Sequence, residues 1–362
     1  MLRDPVHRLS HLDGMRGIAI LLVLLFHAYA RWPDHVPFGA DFAEVFIFKT
    51  GFVGVNLFFL ISGFVILMTL EKCASFGIFF TKRWLRLFPA MLVCSAIVFA
   101  TAPLFPERPA GLPAARDLLP GLTFIDPAIW QKVIGGSQGS LEGAFWSLYV
   151  EMKFYVVFGI LYFAIGRSWA IGALCAIFLF GLAIPALTAL IPDLAFTSRP
   201  LEQMFGILGA EYYGWFAGGA MFYRYFSDKK LGWLMGGLGV SLLSAGMMVE
   251  PSSKVAAMLI VALFAVSMVS RTVQNLLSAR WLLFAGFVSY PLYLLHENLL
   301  VAGMVKLGVA VPGLPALLYP IFPAFCLFGL AWLVASYLEP VVKRGLQEGL
   351  EAIGELRPNP KA

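Results

Sequence analysis

Ten apolar runs, each about as long as a membrane-spanning helix, constrain this chain more than any other feature. A helix needs about 20 mainly apolar residues to cross the hydrocarbon core of a bilayer. The chain is 60% hydrophobic and only 13% charged, whereas soluble globular proteins carry about 25% charged residues. We therefore expect an all-α polytopic membrane protein with about ten transmembrane helices. The runs lie at 13–31, 52–70, 87–105, 145–165, 169–191, 204–224, 231–249, 255–270, 282–305 and 316–338.

The distribution of basic residues predicts the orientation of these helices. Ten spans place both termini on one side, and 17 of the 26 Lys and Arg residues then fall on that side against 8 on the other. Short cytoplasmic loops carry the excess of positive charge, so both termini are predicted to be cytoplasmic. The long proline-rich loop 106–144 then faces outward. We expect a membrane domain over 1–342 and a short cytoplasmic tail over 343–362.

Composition argues against two other classes of function. The formal net charge is +5, but the basic residues are scattered over short loops and form no stripe of the kind that binds nucleic acid. The four cysteines lie in or beside apolar runs without a CxxC pair or a metal-ligand spacing. We expect neither a nucleic-acid partner nor a metal site.

The first apolar run contains a polar face formed by Asp13, Arg16 and His27. Eleven steps at 100° per residue place Arg16 and His27 within about 20° of each other and about 16 Å apart along the helix. An imidazole within a bilayer is costly unless it faces a cavity or a partner, so His27 is a candidate functional residue. The alternatives are an interfacial anchor for Arg16 and a structural hydrogen bond for His27.

Arg83 and Arg86 form a second group where the third run begins. Residues three apart project from one helix face, and two guanidinium groups there could hold a phosphate through paired hydrogen bonds. Ordinary positive charge at the cytoplasmic side of a span is the alternative explanation.

Two further runs carry polar stripes. Ser147, Glu151 and Tyr155 repeat every four residues and should face a cavity, or else Glu151 forms a salt bridge within the membrane. Combined with His27, they also suggest a hydrolase triad, but Ser147 lacks the surrounding G-x-S-x-G turn. In the ninth run, Tyr293 and His296 share a face, and His296 could equally be a structural partner of Glu297 or Tyr293.

Together these blocks resemble the membrane acyltransferase family 3, whose members O-acylate extracytoplasmic glycans and some small molecules. The resemblance covers residues 10–338, and the blocks occur in the family's order. The matching blocks are Asp13–Ala19 with His27, Gly51–Val55 with Phe58–Phe64, Arg83 and Arg86 with Pro89, Trp146–Tyr155, and Ser289–His296.

The resemblance implies a ten-helix core, a cytoplasmic acyl-CoA donor such as acetyl-CoA as co-substrate, and a glycan or lipid-linked sugar acceptor on the far side. It implies that His27 is the essential histidine and that Arg83 and Arg86, with Arg16 nearby, serve the donor. His27 would act as general base on an acceptor hydroxyl, oriented by Glu151 or another acid. We expect a stand-alone transferase without a C-terminal SGNH-hydrolase-type domain. A proton-coupled transporter or flippase is the alternative, although no symmetry between halves supports it.

Overall fold

The computed structural model describes residues 9–135, 139–191 and 195–352, and within these ranges it contains helices and no strands. The remaining residues, which include part of loop 106–144 and the end of the predicted tail, lie outside the described ranges. The main helices are α1 Ser10–Tyr29, α2 Gly54–Leu70, α3 Phe76–Thr101, α4 Trp146–Ile165, α5 Arg167–Leu190, α6 Ala195–Leu208, α7 Tyr213–Asp228, α8 Leu231–Gly246, α9 Pro251–Val269, α10 Arg280–Ala310, α11 Ile321–Leu333 and α12 Glu339–Ala352. Short helices lie at Phe46–Lys49, Leu118–Thr123, Pro127–Ile134 and Arg271–Leu277.

Eight helical stretches of the described chain are long and apolar enough to cross a membrane, which confirms the all-α polytopic class. They correspond to eight of the ten predicted spans. The other two predicted spans, 204–224 and 231–249, differ in the structure. The second is α8, an apolar helix of only 16 residues, which is about 24 Å long at the usual rise and shorter than a bilayer core of about 30 Å.

The prediction of one continuous helix over 204–224 is wrong. Helix α6 ends at Leu208, Gly209 adopts a left-handed conformation with φ of +69°, and α7 begins at Tyr213. Glycine adopts this conformation without the steric cost that a side chain imposes. Glu211 lies in this break, but one charged residue in an otherwise apolar run does not show by itself that a helix ends there.

The predicted tail boundary at residue 343 falls inside a helix. Helix α12 runs from Glu339 to Ala352 and therefore includes the first ten residues of the predicted tail. Its sequence is polar, in contrast to the apolar helix α11 that precedes it. The cytoplasmic location of the tail stays a prediction.

The chain divides into two compact units. Unit 1 comprises Met1–Val23, Thr50–Phe76 and Val150–Gly286, and unit 2 comprises Leu24–Lys49, Gly77–Tyr149 and Phe287–Ala362. Helices α1, α4 and α10 each contribute residues to both units.

Unit 1 is built on close contact between α2 and α7. A Cβ added at Gly63 would lie 2.0 Å from the Phe216 carbonyl oxygen, and one at Gly219 would lie 2.0 Å from the Leu60 carbonyl oxygen. Only glycine permits this approach of two backbones, which is how helices associate within lipid. Gly63 and Gly219 thus allow the close packing of α2 and α7.

Unit 2 joins α3 to the C-terminal part of α10. The Tyr290 hydroxyl donates to the Leu87 carbonyl oxygen at 3.0 Å, and the Cys94 thiol lies 3.9 Å from the Pro291 carbonyl oxygen. A proline leaves the carbonyl of the preceding turn without its usual helical donor, but α10 continues through Pro291 to Ala310. This part of α10 carries His296 and its neighbours.

Candidate active site

His27 lies in the last turn of α1 and is 9% exposed. Its Nδ1 atom is 3.2 Å from Nε2 of the fully buried His296, and the two rings meet edge to face with centroids 4.6 Å apart. One nitrogen of the pair donates and the other accepts, so each ring restricts the tautomer of the other. The structure thus brings together two histidines that the sequence placed in separate runs.

Glu297 stands on the other side of the His27 ring. Its Oε1 atom is 3.9 Å from His27 Nε2, and its Oε2 atom accepts a hydrogen bond from the Ala144 backbone amide. The carboxylate is thus too far from His27 for a hydrogen bond but close enough to stabilise a positive charge on the ring. The Tyr293 carbonyl oxygen, rather than Glu297, holds the His296 ring in place, because it lies 2.8 Å from His296 Nδ1.

Ser147 and Tyr293 form a hydroxyl pair beside these residues. The two hydroxyl oxygens are 2.7 Å apart, and the Ala144 carbonyl oxygen lies 3.3 Å from the Ser147 hydroxyl and 2.8 Å from the Tyr293 hydroxyl. These bonds attach the start of α4 to α10. The geometry gives Ser147 a local structural bonding pattern, and it provides no support for the triad in which Ser147 would be the nucleophile.

Glu151 lies further along α4, in unit 1. Its Oε1 atom accepts from the Ser62 hydroxyl and from the Tyr155 hydroxyl, each at 2.6 Å. The predicted contact between residues four apart is therefore present for Glu151 and Tyr155. Lys153 donates to the Ile207 carbonyl oxygen at 2.7 Å. A role for Glu151 in orienting His27 stays a prediction.

The candidate donor-binding arginines each have an acidic neighbour or a partly buried position. Arg16 Nη1 lies 3.1 Å from Asp13 Oδ1, one turn away on α1. Arg86 Nη1 lies 3.2 Å from Glu339 Oε1, and the Arg86 guanidinium also lies over the Tyr290 ring. Arg83 is half-buried in the first half of α3. The donor roles of all three arginines stay predictions.

The sequence did not single out a buried polar cluster made by Arg108, Glu142 and Asn298. The side chains of Arg108 and Glu142 are each 1% exposed, and Glu142 Oε2 accepts from the Asn298 side chain at 2.6 Å. Both charged residues lie in the long loop, where the charge count treats them as solvated. The position of Asn298 directly after His296 and Glu297 was the one available signal.

An apolar cavity of about 430 Å³ opens in the same unit. Leu299, three residues after His296, lines it, and Lys306 is the one charged residue in its wall. Among the described residues, no group of three or more His, Cys, Asp or Glu side chains is arranged to hold a metal ion.

Known proteins resemble this chain in part. The O-acetyltransferase OatA of Staphylococcus aureus strain NCTC 8325 is 29% identical over 161 residues, and the protein of the same name from strain COL matches equally well. The alignment covers 41% of this chain and 24% of each relative, so the chain spans about a quarter of the length of these curated relatives. No solved structure matches the chain.

The family comparison covers most of the chain. The model described as an acyltransferase domain matches residues 9–338, a stretch that includes every candidate catalytic and donor-binding residue described above. The chain therefore belongs to the membrane acyltransferase family 3.

Proposed function

We propose that this protein is an O-acyltransferase of the cytoplasmic (inner) membrane. It moves an acyl group, which we take to be acetyl, from cytoplasmic acyl-CoA to a hydroxyl of an extracytoplasmic glycan or related molecule. The name of the OatA relatives supports both the O-linked product and the acetyl group. The protein would thus modify a polysaccharide or its precursor.

The observation that carries this proposal is the position of His27 between His296 and Glu297. A neutral imidazole is suited to accept the proton of an acceptor hydroxyl while the oxygen attacks the thioester carbonyl. The tetrahedral intermediate then collapses to the ester and expels the CoA thiolate, which takes the proton from the His27 imidazolium. Glu297, at 3.9 Å, stabilises the imidazolium between these two proton transfers.

The donor would bind through its phosphates to Arg83 and Arg86 in the first half of α3. Planar guanidinium groups pair with phosphate oxygens through two parallel hydrogen bonds. Arg86 contacts Glu339, and a donor phosphate would offer the guanidinium another anionic partner in place of that carboxylate. Arg16 is a further candidate from the sequence.

The orientation remains part of the proposal, with both termini in the cytoplasm and loop 106–144 outside. Single cysteines at the exposed Ala115 and at the exposed Lys82, in a background without the native cysteines, would test it with a membrane-impermeant maleimide. We expect Ala115→Cys to react from outside and Lys82→Cys only after the membrane is opened. The reverse pattern would contradict the proposed orientation.

Acyl transfer itself is testable in inverted membrane vesicles that expose the cytoplasmic face. Vesicles from host cells that produce the protein are incubated with [14C]acetyl-CoA. We expect radiolabel in the non-protein fraction as an ester that mild base releases, and none in vesicles without the protein. Inserted, folded protein that forms no labelled ester in its native membrane would contradict the proposed function.

A further inference from the structure

The segment Leu141–Ala144 docks along α10 directly beside His296. Glu142 Oε2 accepts from the Asn298 backbone amide at 3.0 Å and from the Asn298 side chain at 2.6 Å. Two residues later, the Ala144 amide donates to Glu297 Oε2. Consecutive residues of α10 are therefore bonded to neighbouring residues of this segment, and one of them is the carboxylate beside His27.

The start of the long loop fastens the same segment from another side. Arg108 Nη2 donates to the Leu141 carbonyl oxygen at 2.9 Å and lies 3.4 Å from Glu142 Oε1. The Ala110 amide donates to Asn298 Oδ1 at 2.9 Å. The two ends of the loop thus meet each other and α10 at Asn298.

This cluster is an expensive way to stabilise a fold. Removing a guanidinium from water costs several kcal/mol, burying a carboxyl group beside it adds to that cost, and apolar residues often stabilise a fold as well. Arg108 also has two buried nitrogens, Nε and Nη1, that find no hydrogen-bond partner in the described structure. A buried pair is therefore weak evidence for stability and better explained by the geometry that it specifies.

Gly143 shows what that geometry controls. A Cβ at this position would lie 2.9 Å from Glu297 Oε1 and 3.1 Å from Glu297 Oε2. The Glu297 carboxylate therefore lies directly against the backbone of the docked segment. A shift of this segment would move the Ala144 amide that donates to Glu297, or the Gly143 backbone against which the Glu297 carboxylate packs.

We infer that Arg108, Glu142 and Asn298 are positioning residues that hold the segment Leu141–Ala144 against α10 and so fix Glu297 beside His27. The inference rests on the proposed function, in which His27 takes the acceptor proton. The three residues act through Glu297 and the backbone of the segment. Their removal should therefore slow the chemical step more than it weakens donor binding.

The first test compares Glu142→Ala with Glu107→Ala. Glu107 lies in the same loop and also pairs with α10, through Lys306 at 3.2 Å, but it lies outside the cluster. Misplacement of a reacting group by about 1 Å can cost about 10²-fold in rate. We expect Glu142→Ala to lower the kcat of [14C]acetyl transfer by about 10- to 100-fold with the KM for acetyl-CoA unchanged, and Glu107→Ala to resemble the wild type. Equal kcat values for Glu142→Ala and the wild type would overturn the inference.

A second test uses variants that keep the size of the side chains. Asn298→Asp can still accept from the Ala110 amide but cannot donate to Glu142, so its kcat should fall. In the double variant with Glu142→Gln, the glutamine amide at position 142 can donate to the aspartate at position 298. The double variant should therefore recover most of the lost kcat. If the double variant is no faster than Asn298→Asp while both are folded by size-exclusion chromatography, the hydrogen bond does not position the site.

A His27→Gln variant in the same assay separates the two levels of the argument. If His27→Gln is inactive and the cluster variants keep the wild-type kcat, the positioning role is wrong and the proposed function stands. If His27→Gln retains acetyl transfer, the proposed function of His27 is itself wrong.

Discussion

Two charged pairs of unit 1 form within one turn of their own helix, although Arg167 and Glu71 pair across 96 positions, whereas the candidate catalytic groups of unit 2 meet across long stretches of chain. Asp13 pairs with Arg16, and Arg224 pairs with Asp228, at spacings of three and four residues. His27, in contrast, contacts His296 across 269 positions. A helix alone satisfies the first kind of pair, but the second kind exists only in the folded bundle. The contact between two imidazoles, rather than long-range pairing as such, is the reason why we expect the chemistry in unit 2.

The two intramembrane glutamates show the same difference. Glu151 in unit 1 accepts hydrogen bonds from two hydroxyl groups, which fix its side chain. Glu297 in unit 2 faces an imidazole at 3.9 Å and is held by a backbone amide. An acid that stabilises an imidazolium must lie beside the ring. We therefore expect Glu297 to be the more important acid in the reaction.

The largest expected difference between the units comes from neutralising these two acids. Glu297→Gln should lower kcat by about 10²-fold or more, because the imidazolium formed in general-base catalysis loses its counter-charge. Glu151→Gln keeps an acceptor for the Ser62 and Tyr155 hydroxyls and should lose far less. Rates of [14C]acetyl transfer by equal amounts of folded protein would compare them. A larger loss in Glu151→Gln would return Glu151 to the orienting role that the sequence suggests.

A second contrast separates arginines of the two units. Arg86→Ala should raise the KM for acetyl-CoA by about tenfold, since a hydrogen bond to a charged group contributes about 1.5–3 kcal/mol. Arg86→Lys should recover only part of that loss, because a point charge replaces a planar fork. Arg224→Ala in unit 1 removes a pair with Asp228 and should lower the yield of folded protein without changing that KM. Unchanged donor KM in both Arg83→Ala and Arg86→Ala would contradict the donor assignment.

Packing of unit 1 predicts an effect on stability rather than on rate. Gly63→Ala would place a Cβ 2.0 Å from a backbone oxygen, and overpacking of this kind costs about 1–3 kcal/mol. Gly239→Ala on α8 is the matched control, since no atom lies within 4 Å of its added Cβ. Thermal unfolding in detergent should show a lower Tm for Gly63→Ala alone, with the same rate per folded molecule. A Tm for Gly63→Ala equal to that of Gly239→Ala would mean that the close α2–α7 contact does not determine the stability of the protein.

The smallest expected effect is a pH dependence of stability from Glu142 in unit 2. Burial, and then the nearby Glu297, raise the pKa of Glu142 to about 8, against the opposing influence of Arg108 and Asn298. The folded protein then binds a proton that the unfolded chain releases near its ordinary pKa. The resulting stabilisation is complete below that pKa and is lost as pH rises through about 8. The wild-type Tm should therefore fall between pH 6 and pH 9 more than that of Glu142→Gln. Parallel curves for both proteins would show that Glu142 does not titrate in this range.

The features that local periodicity encodes were predictable. Apolar runs located eight of the membrane helices, and the four-residue spacing of Glu151 and Tyr155 became a hydrogen bond. The break at Gly209 was missed, because hydropathy counts side chains and does not register one residue with positive φ.

The assembly of the site was not predictable from the same signals. His27 and His296 were each recognised as costly in lipid, but periodicity relates residues within a run and gives no pairing between runs. Glu297 was considered only as a neighbour of His296, while its nearest functional partner is His27. Arg108 and Glu142 lie in a loop, where sequence gives no reason to expect the burial that the fold imposes on them.

The most direct test of the account is the rate of [14C]acetyl transfer by His27→Gln beside that of His35→Gln. Both changes replace an imidazole by an amide that cannot take a proton at neutral pH, and His35 is an exposed residue elsewhere in unit 2. General-base catalysis contributes about 10²–10⁴-fold, so His27→Gln should lose at least that much while remaining folded in the membrane, and His35→Gln should keep the wild-type rate. Near wild-type transfer by His27→Gln would contradict the assignment of His27 as the base.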